Sequence, residues 1–237
     1  MRDLSPMTKK IVLQFDPAFI EEALFLKMRA EGGDPALTSS FHRDREQVYQ
    51  EHQGDEERDR AFHRLHEDYF VRAGLREVFE KIFLEFPRFG KRDLLIFVKK
   101  VFFRKQEESE LFVQREVKTV CIGLQAVRIL DRPFLESFLY HEVMHISDML
   151  DPAFQYSPHP DVGGESDIEN HCIKERFRIL WNFYVDSRLR RRGLPSFVPE
   201  EKYKENVREE VCHEILNGRP FTQADLLHLA HGKQGAL

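Results

Sequence analysis

The sequence predicts an α+β fold, and three observations carry that prediction. Apolar residues recur at helical spacing over most of the chain. One stretch, 93–124, changes period and is dense in β-branched and aromatic residues. Prolines and glycines separate these segments at intervals that suit helices and short strands. The expected arrangement is an N-terminal helical region, 1–90, layered on a core, 91–237, that contains a small mixed or antiparallel sheet.

Taken in order, a short tail precedes Asp16-Pro17, which opens a helix that runs to Arg29, with Asp as N-cap and Pro at the first helical position. Gly32-Gly33 breaks it. Residues 41–86 read as mainly helical and strongly charged, with a break near Gly54. The apolar series Phe62, Leu65, Tyr69, Leu75, Val78, Phe79, Ile82, Phe83 and Phe86 follows, and Pro87 ends it. Residues 93–103, DLLIFVKKVFF, read as a strand, and 111–124 as a second strand or hairpin, with loops at Gly90 and 106–110. A helix over 133–150 starts at Arg132-Pro133 and stops at Asp151-Pro152. A proline-rich loop, 151–166, leads to a long helix over 166–192, closed by Gly193 and Pro195. Two last helices, 199–217 and 222–231, complete the chain.

Composition narrows the function. With 237 residues, 41% hydrophobic and 32% charged, and 21 Phe, the chain can bury a core without disulfides. The net charge of −5, with both signs interspersed, argues against a nucleic-acid partner. The densest basic run, Arg188 and Arg190 to Arg192, falls at a helix C-terminus, where cations complement the dipole. Cys121, Cys172 and Cys212 form no CxxC pair, so they read as thiols rather than metal ligands. No apolar run has membrane-spanning length, and the first ten residues lack the apolar core of a signal peptide. The expectation is a cytoplasmic protein with no membrane partner.

The chemistry-bearing motif is His141-Glu142-Val143-Met144-His145, an HExxH. Two histidines four apart stand one turn above each other on a helix, so both imidazoles can reach one ion, and zinc suits neutral imidazole ligands. Glu142 is then placed to take a proton from metal-bound water. The motif lies among Phe134, Leu135, Phe138, Leu139, Val143, Ile146 and Met149. Polar groups inside so apolar a helix are costly unless something satisfies them, either a metal or hydrogen bonds within the core.

A two-histidine zinc site needs a third protein ligand. Asp186 is the leading candidate, because it lies in an apolar helix beside Trp181, Phe183, Val185 and Leu189. Its bland alternative is a helix ion pair with Arg190. Glu175 is the next candidate, weighed against an ion pair with Arg178 or Arg176, followed by Glu165, Glu169 and His171. Asn182, one turn before Asp186, could orient the site. His42, His52, His63 and His66 lie in charged helices and read as solvated. His159, in the loop, also reads as solvated rather than as a group that approaches substrate. Tyr140, Tyr156 and Tyr184 are possible transition-state donors, but packing is their commoner role.

On these residues the chain resembles the zincin metallopeptidases, in which strands precede an HExxH helix and an acidic ligand sits on a second helix. Within them it looks like the gluzincin-like or minimal-peptidase branch, where an Asn commonly precedes that ligand. The stretch from Trp181-Asn182 to Asp186 is similar to the WNxxxD helix of metallopeptidase-like domains found beside von Willebrand A modules. The resemblance covers about residues 93–192. It departs from the Asn-Glu pair common in gluzincins, since Phe183 follows Asn182, and it lacks the third histidine of metzincins. It implies a zincin-like fold, His141, His145 and Asp186 as zinc ligands, and Glu142 as base.

The expected function is therefore zinc-dependent hydrolysis, with a peptide or protein as substrate. The strand near 117–124 would bind extended substrate by edge pairing. The alternative is an interaction or regulatory module of the same fold, without catalysis, whose working surface is the charged N-terminal helices. A third option is hydrolysis of a non-peptide amide.

Overall fold

In a computed structural model that describes residues 11–30, 34–86, 94–114 and 117–232, the chain divides into two compact units, 1–136 and 137–237. The expected break at Gly32-Gly33, the stop at Pro87, the loop at Gly90 and the strand start at Asp93 lie outside the described residues. The boundary expected at residue 90 falls inside the first unit, which holds both the sheet and the N-terminal helices.

The first unit is built on a four-stranded mixed sheet of β1 (Ile11–Phe15), β2 (Leu94–Lys100), β3 (Ser109–Gln114) and β4 (Val117–Leu124). The order is β1-β2-β4-β3. β1 and β4 flank β2 in parallel, with Ile11 opposite Leu94 and Leu94 opposite Lys118, and β3 runs antiparallel to β4. Two sequence expectations change here. Residues 11–15, read as part of a tail, form an edge strand, since five residues become a strand only when a distant partner pairs with them. β4, expected to take substrate along a free edge, is an interior strand with β2 on one side and β3 on the other. Its backbone groups are already committed, so edge pairing there is ruled out.

The helices of this unit start where the chain supplies caps. Asp16 accepts from Ala18 N–H at 2.9 Å, and α1 (Pro17–Arg29) follows. Asp34 accepts from Ala36 and Leu37 N–H, with Pro35 next, so α2 (Pro35–Glu51) begins six residues earlier than expected. The predicted helical tract then resolves into α3 (Asp55–Arg72) and α4 (Glu77–Leu84). Gly74, at φ +69°, lies in the turn between them, a conformation that suits glycine.

Phe15 of β1 fixes α3 and α4 to the sheet. Its ring centroid lies 4.9 Å from Phe70 and 5.0 Å from Phe79, the latter edge-on at 85°, and Phe19 stacks beside it. All four rings are buried. A second cluster joins Leu24, Phe41 and Tyr69, whose hydroxyl donates to Asp44 at 2.6 Å. His66, expected to be solvated, is half-buried with its ring stacked against Phe41 and Phe62, and burial lowers its pKa. His66, with His42 and His63, lines a cleft of about 1170 Å³ that also exposes Phe25 and Tyr49.

The second unit contains the 137–150 part of α5 (Arg132–Leu150), α6 (Asp167–Arg191), α7 (Glu200–Lys204), α8 (Glu209–Leu216) and α9 (Gln223–His231). The helix expected over 199–217 is thus two short ones, α7 and α8. Ser166 caps α6 by accepting from Glu169 N–H, and Gly193 at φ +69° closes it, with Leu194 N–H returning to Leu189 O at 3.0 Å. Gln223 pins the proline-rich loop, exchanging two hydrogen bonds with the Ser157 backbone, 2.6 and 2.9 Å. No described helix is long and apolar enough to cross a membrane.

Phe79→Ala should cost about 3–5 kcal/mol of stability in urea unfolding followed by far-ultraviolet circular dichroism. Leu84→Ala, five residues on and exposed, should stay within about 0.5 kcal/mol of the wild type. Equal effects from the two would mean that the Phe15, Phe70 and Phe79 cluster is not the core that joins α3 and α4 to the sheet.

Candidate metal centre

In the second unit, His141, His145 and Asp148 stand on one face of α5 at i, i+4 and i+7, while Asn182 and Asp186 stand one turn apart on α6. The two faces meet, and every one of these five side chains finds a partner across the pair of helices or within α5.

Asp186 has no solvent exposure. Its Oδ1 accepts from His141 Nδ1–H at 2.9 Å and from Phe197 N–H at 2.9 Å. Its Oδ2 accepts from Tyr203 O–H at 2.7 Å and Val198 N–H at 3.1 Å. Two oxygens offer about four lone-pair directions, and four donors use them. The sequence expectation makes Asp186 the third metal ligand; here its carboxylate grips His141 at Nδ1, across the ring from Nε2. The alternative pair with Arg190 does not form either. Arg190 donates to Val198 O and lies 3.7 Å from Glu200.

On the other side of the ring, His141 Nε2 lies 3.1 Å from His145 Nε2, and His145 Nε2 lies 3.0 Å from Asn182 Oδ1. Both imidazoles are buried and Asn182 is half-buried. Burial opposes charge on His141, but the Asp186 hydrogen bond and charge outweigh it and raise its pKa. Burial likewise opposes charge on Asp186, and the bonds from His141, Tyr203 and Phe197 outweigh it and keep the carboxyl ionised. Burial, together with the charges of His141 and Arg188, holds His145 well below the ordinary imidazole range. Tyr203 is pushed up by burial and by the Asp186 charge, so it stays a donor.

A second buried carboxylate, absent from the candidates above, lies one turn further along α5. Asp148 accepts a two-pronged bond from Arg188, with Nη1 to Oδ1 at 2.7 Å, and a bond from Trp181 Nε1–H at 2.9 Å. The Trp181 ring meets His145 edge-on at 4.5 Å, and Phe154 stacks on its other side at 5.3 Å. The sequence carries a signal for this pair: Asp148 follows His145 by three residues on the same apolar face, and Arg188 belongs to the basic run near the end of α6.

The remaining candidates lie apart from the histidines. Glu175 pairs with Arg178 at 2.6 Å. Glu165, Glu169 and His171 are exposed, with the Glu169 carboxylate accepting from Glu165 N–H. His159 is exposed, whereas Tyr184 is buried and accepts from Phe221 N–H. Glu142 is half-buried. Among the described residues no group of three His, Cys, Asp or Glu side chains is arranged to hold a metal. What converges instead is two imidazole nitrogens and one amide oxygen.

These atoms fit a metal on chemical grounds. With Nδ1–H committed to Asp186, the lone pair of neutral His141 is on Nε2, facing His145 Nε2 and its neighbour Asn182 Oδ1. One proton on His145 Nε2 cannot bond both neighbours well, and His145 Nδ1 is buried without a partner. Donor atoms around one tetrahedral zinc stand roughly 3.3 Å apart, close to the two separations here. His141, His145 and Asn182 could therefore hold one ion between them. In comparisons with known proteins, no family model, no curated protein and no solved structure matches the chain.

Arg188→Ala should leave Asp148 buried and unpaired and cost about 3–5 kcal/mol, read in urea unfolding through the fluorescence of Trp181, the single tryptophan. A cost below about 1 kcal/mol would show that the Asp148 and Arg188 pair is an exposed, dispensable contact.

Proposed function

We propose that this protein is a zinc-dependent hydrolase of peptide or related amide bonds, with a zincin-like fold, in which His141 and His145 hold the metal and Glu142 is the general base. One observation carries the reading: the Nε2 atoms of the two HExxH histidines face each other at 3.1 Å, while a buried carboxylate fixes the first ring through Nδ1. A carboxylate–histidine pair of this kind sets the tautomer and raises the basicity of the nitrogen that remains. Asp186 is in this reading an orienting group.

When bound, zinc supplies Lewis acidity toward a substrate carbonyl and lowers the pKa of a coordinated water to near 7. Glu142 accepts a proton from the attacking water at its carboxylate and returns it to the leaving amine. His141 stays oriented because its Nδ1–H is tied to Asp186, which the Phe197 and Val198 amides and Tyr203 hold in turn. Peptide or protein substrates and a cytoplasmic site of action belong to the same reading.

The second reading is a regulatory module that binds a protein partner through its N-terminal helices. It draws on the cleft of the first unit, where Phe25 and Tyr49 stand exposed. Metal analysis separates the two. The purified protein should hold about one zinc per chain, and His141→Ala should lose it. Glu142→Gln should keep the metal and lose roughly 10²–10⁴-fold in cleavage of a quenched fluorescent peptide library. A wild-type protein that takes up no zinc, or a Glu142→Gln protein that loses it, would overturn the enzyme reading.

A further inference from the structure

We propose that Asn182 is the third protein ligand of the metal, so that the ion is held by an uncharged set of two imidazoles and one amide oxygen. This rests on the zinc reading above and adds a residue and a property to it. Asn182 Oδ1 stands 3.0 Å from His145 Nε2, on the side of that nitrogen that also faces His141 Nε2 at 3.1 Å. Each of the three atoms carries a lone pair when its imidazole nitrogen is unprotonated, and the two separations match those of donors around one tetrahedral ion.

Three carboxylates of α5 and α6 are committed to other partners. Asp186 is saturated by four donors behind His141, and Asp148 is held by Arg188 and Trp181. Glu175 is occupied by Arg178. α6 also explains the geometry. Asn182 and Asp186 are four residues apart, so the helix that brings the carboxylate to His141 Nδ1 brings the amide one turn earlier to His145 Nε2.

Replacing the usual carboxylate ligand by an amide has a chemical consequence. Two imidazoles and an amide carry no negative charge, so the ion keeps its full formal charge at the site. Such a set holds zinc more weakly than one with a carboxylate, and it leaves the ion a stronger Lewis acid. Occupancy should then follow the free zinc concentration more closely than in a site with a charged ligand.

The test is zinc affinity of the full chain, measured by competition with a chromophoric chelator, alongside the visible absorption of the cobalt(II) form. Asn182→Asp replaces one amide nitrogen by oxygen at constant shape, and it should tighten zinc about tenfold or more and shift the cobalt bands. Asn182→Ala should weaken zinc by about tenfold or more. An Asn182→Asp protein that folds, binds zinc no tighter than wild type and leaves the cobalt spectrum unchanged would overturn this assignment while leaving His141 and His145 as ligands. A wild-type protein that binds no zinc would overturn the reading beneath it. If Asn182→Ala fails to fold, the Asp variant decides the matter alone.

Discussion

A carboxylate with no solvent exposure must find its stabilisation inside the protein, and Asp186 finds it in four donors from three parts of the chain. Removing such a group from water costs several kcal/mol, and hydrogen bonds to a charged acceptor return about 1.5–3 kcal/mol each. The fold of the second unit follows from meeting that requirement. α5 must present His141 to α6, the turn after α6 must present two backbone amides, and α7 must place Tyr203 where its hydroxyl reaches Oδ2. Phe183 stacks on the Tyr203 ring at 4.7 Å, so apolar packing and the polar requirement fix the same side chain.

The pair of Asp148 with Arg188 and Trp181 repeats this logic one turn along α5. Two buried carboxylates, one on each helix and each taking a donor from the other helix, define the register of the two helices more sharply than interchangeable apolar contacts could. A slip of either helix by one residue would strand both. His145 lies between these two networks, bounded by His141, Asn182 and the edge of Trp181. Its freedom to reorient is small, a restriction that would suit the ligand role proposed for it.

The same networks separate two roles that an acidic residue can play beside a histidine. At the metal, a carboxylate contributes charge and a donor atom. Behind the imidazole, it fixes a tautomer and contributes charge at one remove. Asp186 is placed for the second role by the donors that surround it. A neutral amide stands beside His145 Nε2, so the proposed site would couple a strongly oriented first histidine to a weakly charged coordination set.

The sequence by itself determined the elements whose signals are local. Asp16-Pro17 started α1, Gly193 stopped α6, and the four-residue spacing of His141 and His145 required both rings on one helical face. It also marked Asp186 as a buried charge needing a partner, because an acidic residue among Trp181, Phe183, Val185 and Leu189 has no other way to be stable. Non-local pairing was decided elsewhere. Residues 11–15 became a strand only through β2, which lies some eighty residues on, and β4 lost its free edge to β3. Three of the four donors to Asp186 came from Phe197, Val198 and Tyr203, and no spacing rule connects backbone amides after one helix to a carboxylate within it. Whether Asp186 faced Nε2 or Nδ1 of His141 was likewise a question of how two helices pack. Helical periodicity fixes which residues share a face, and only tertiary contact fixes which atom of a ring that face meets.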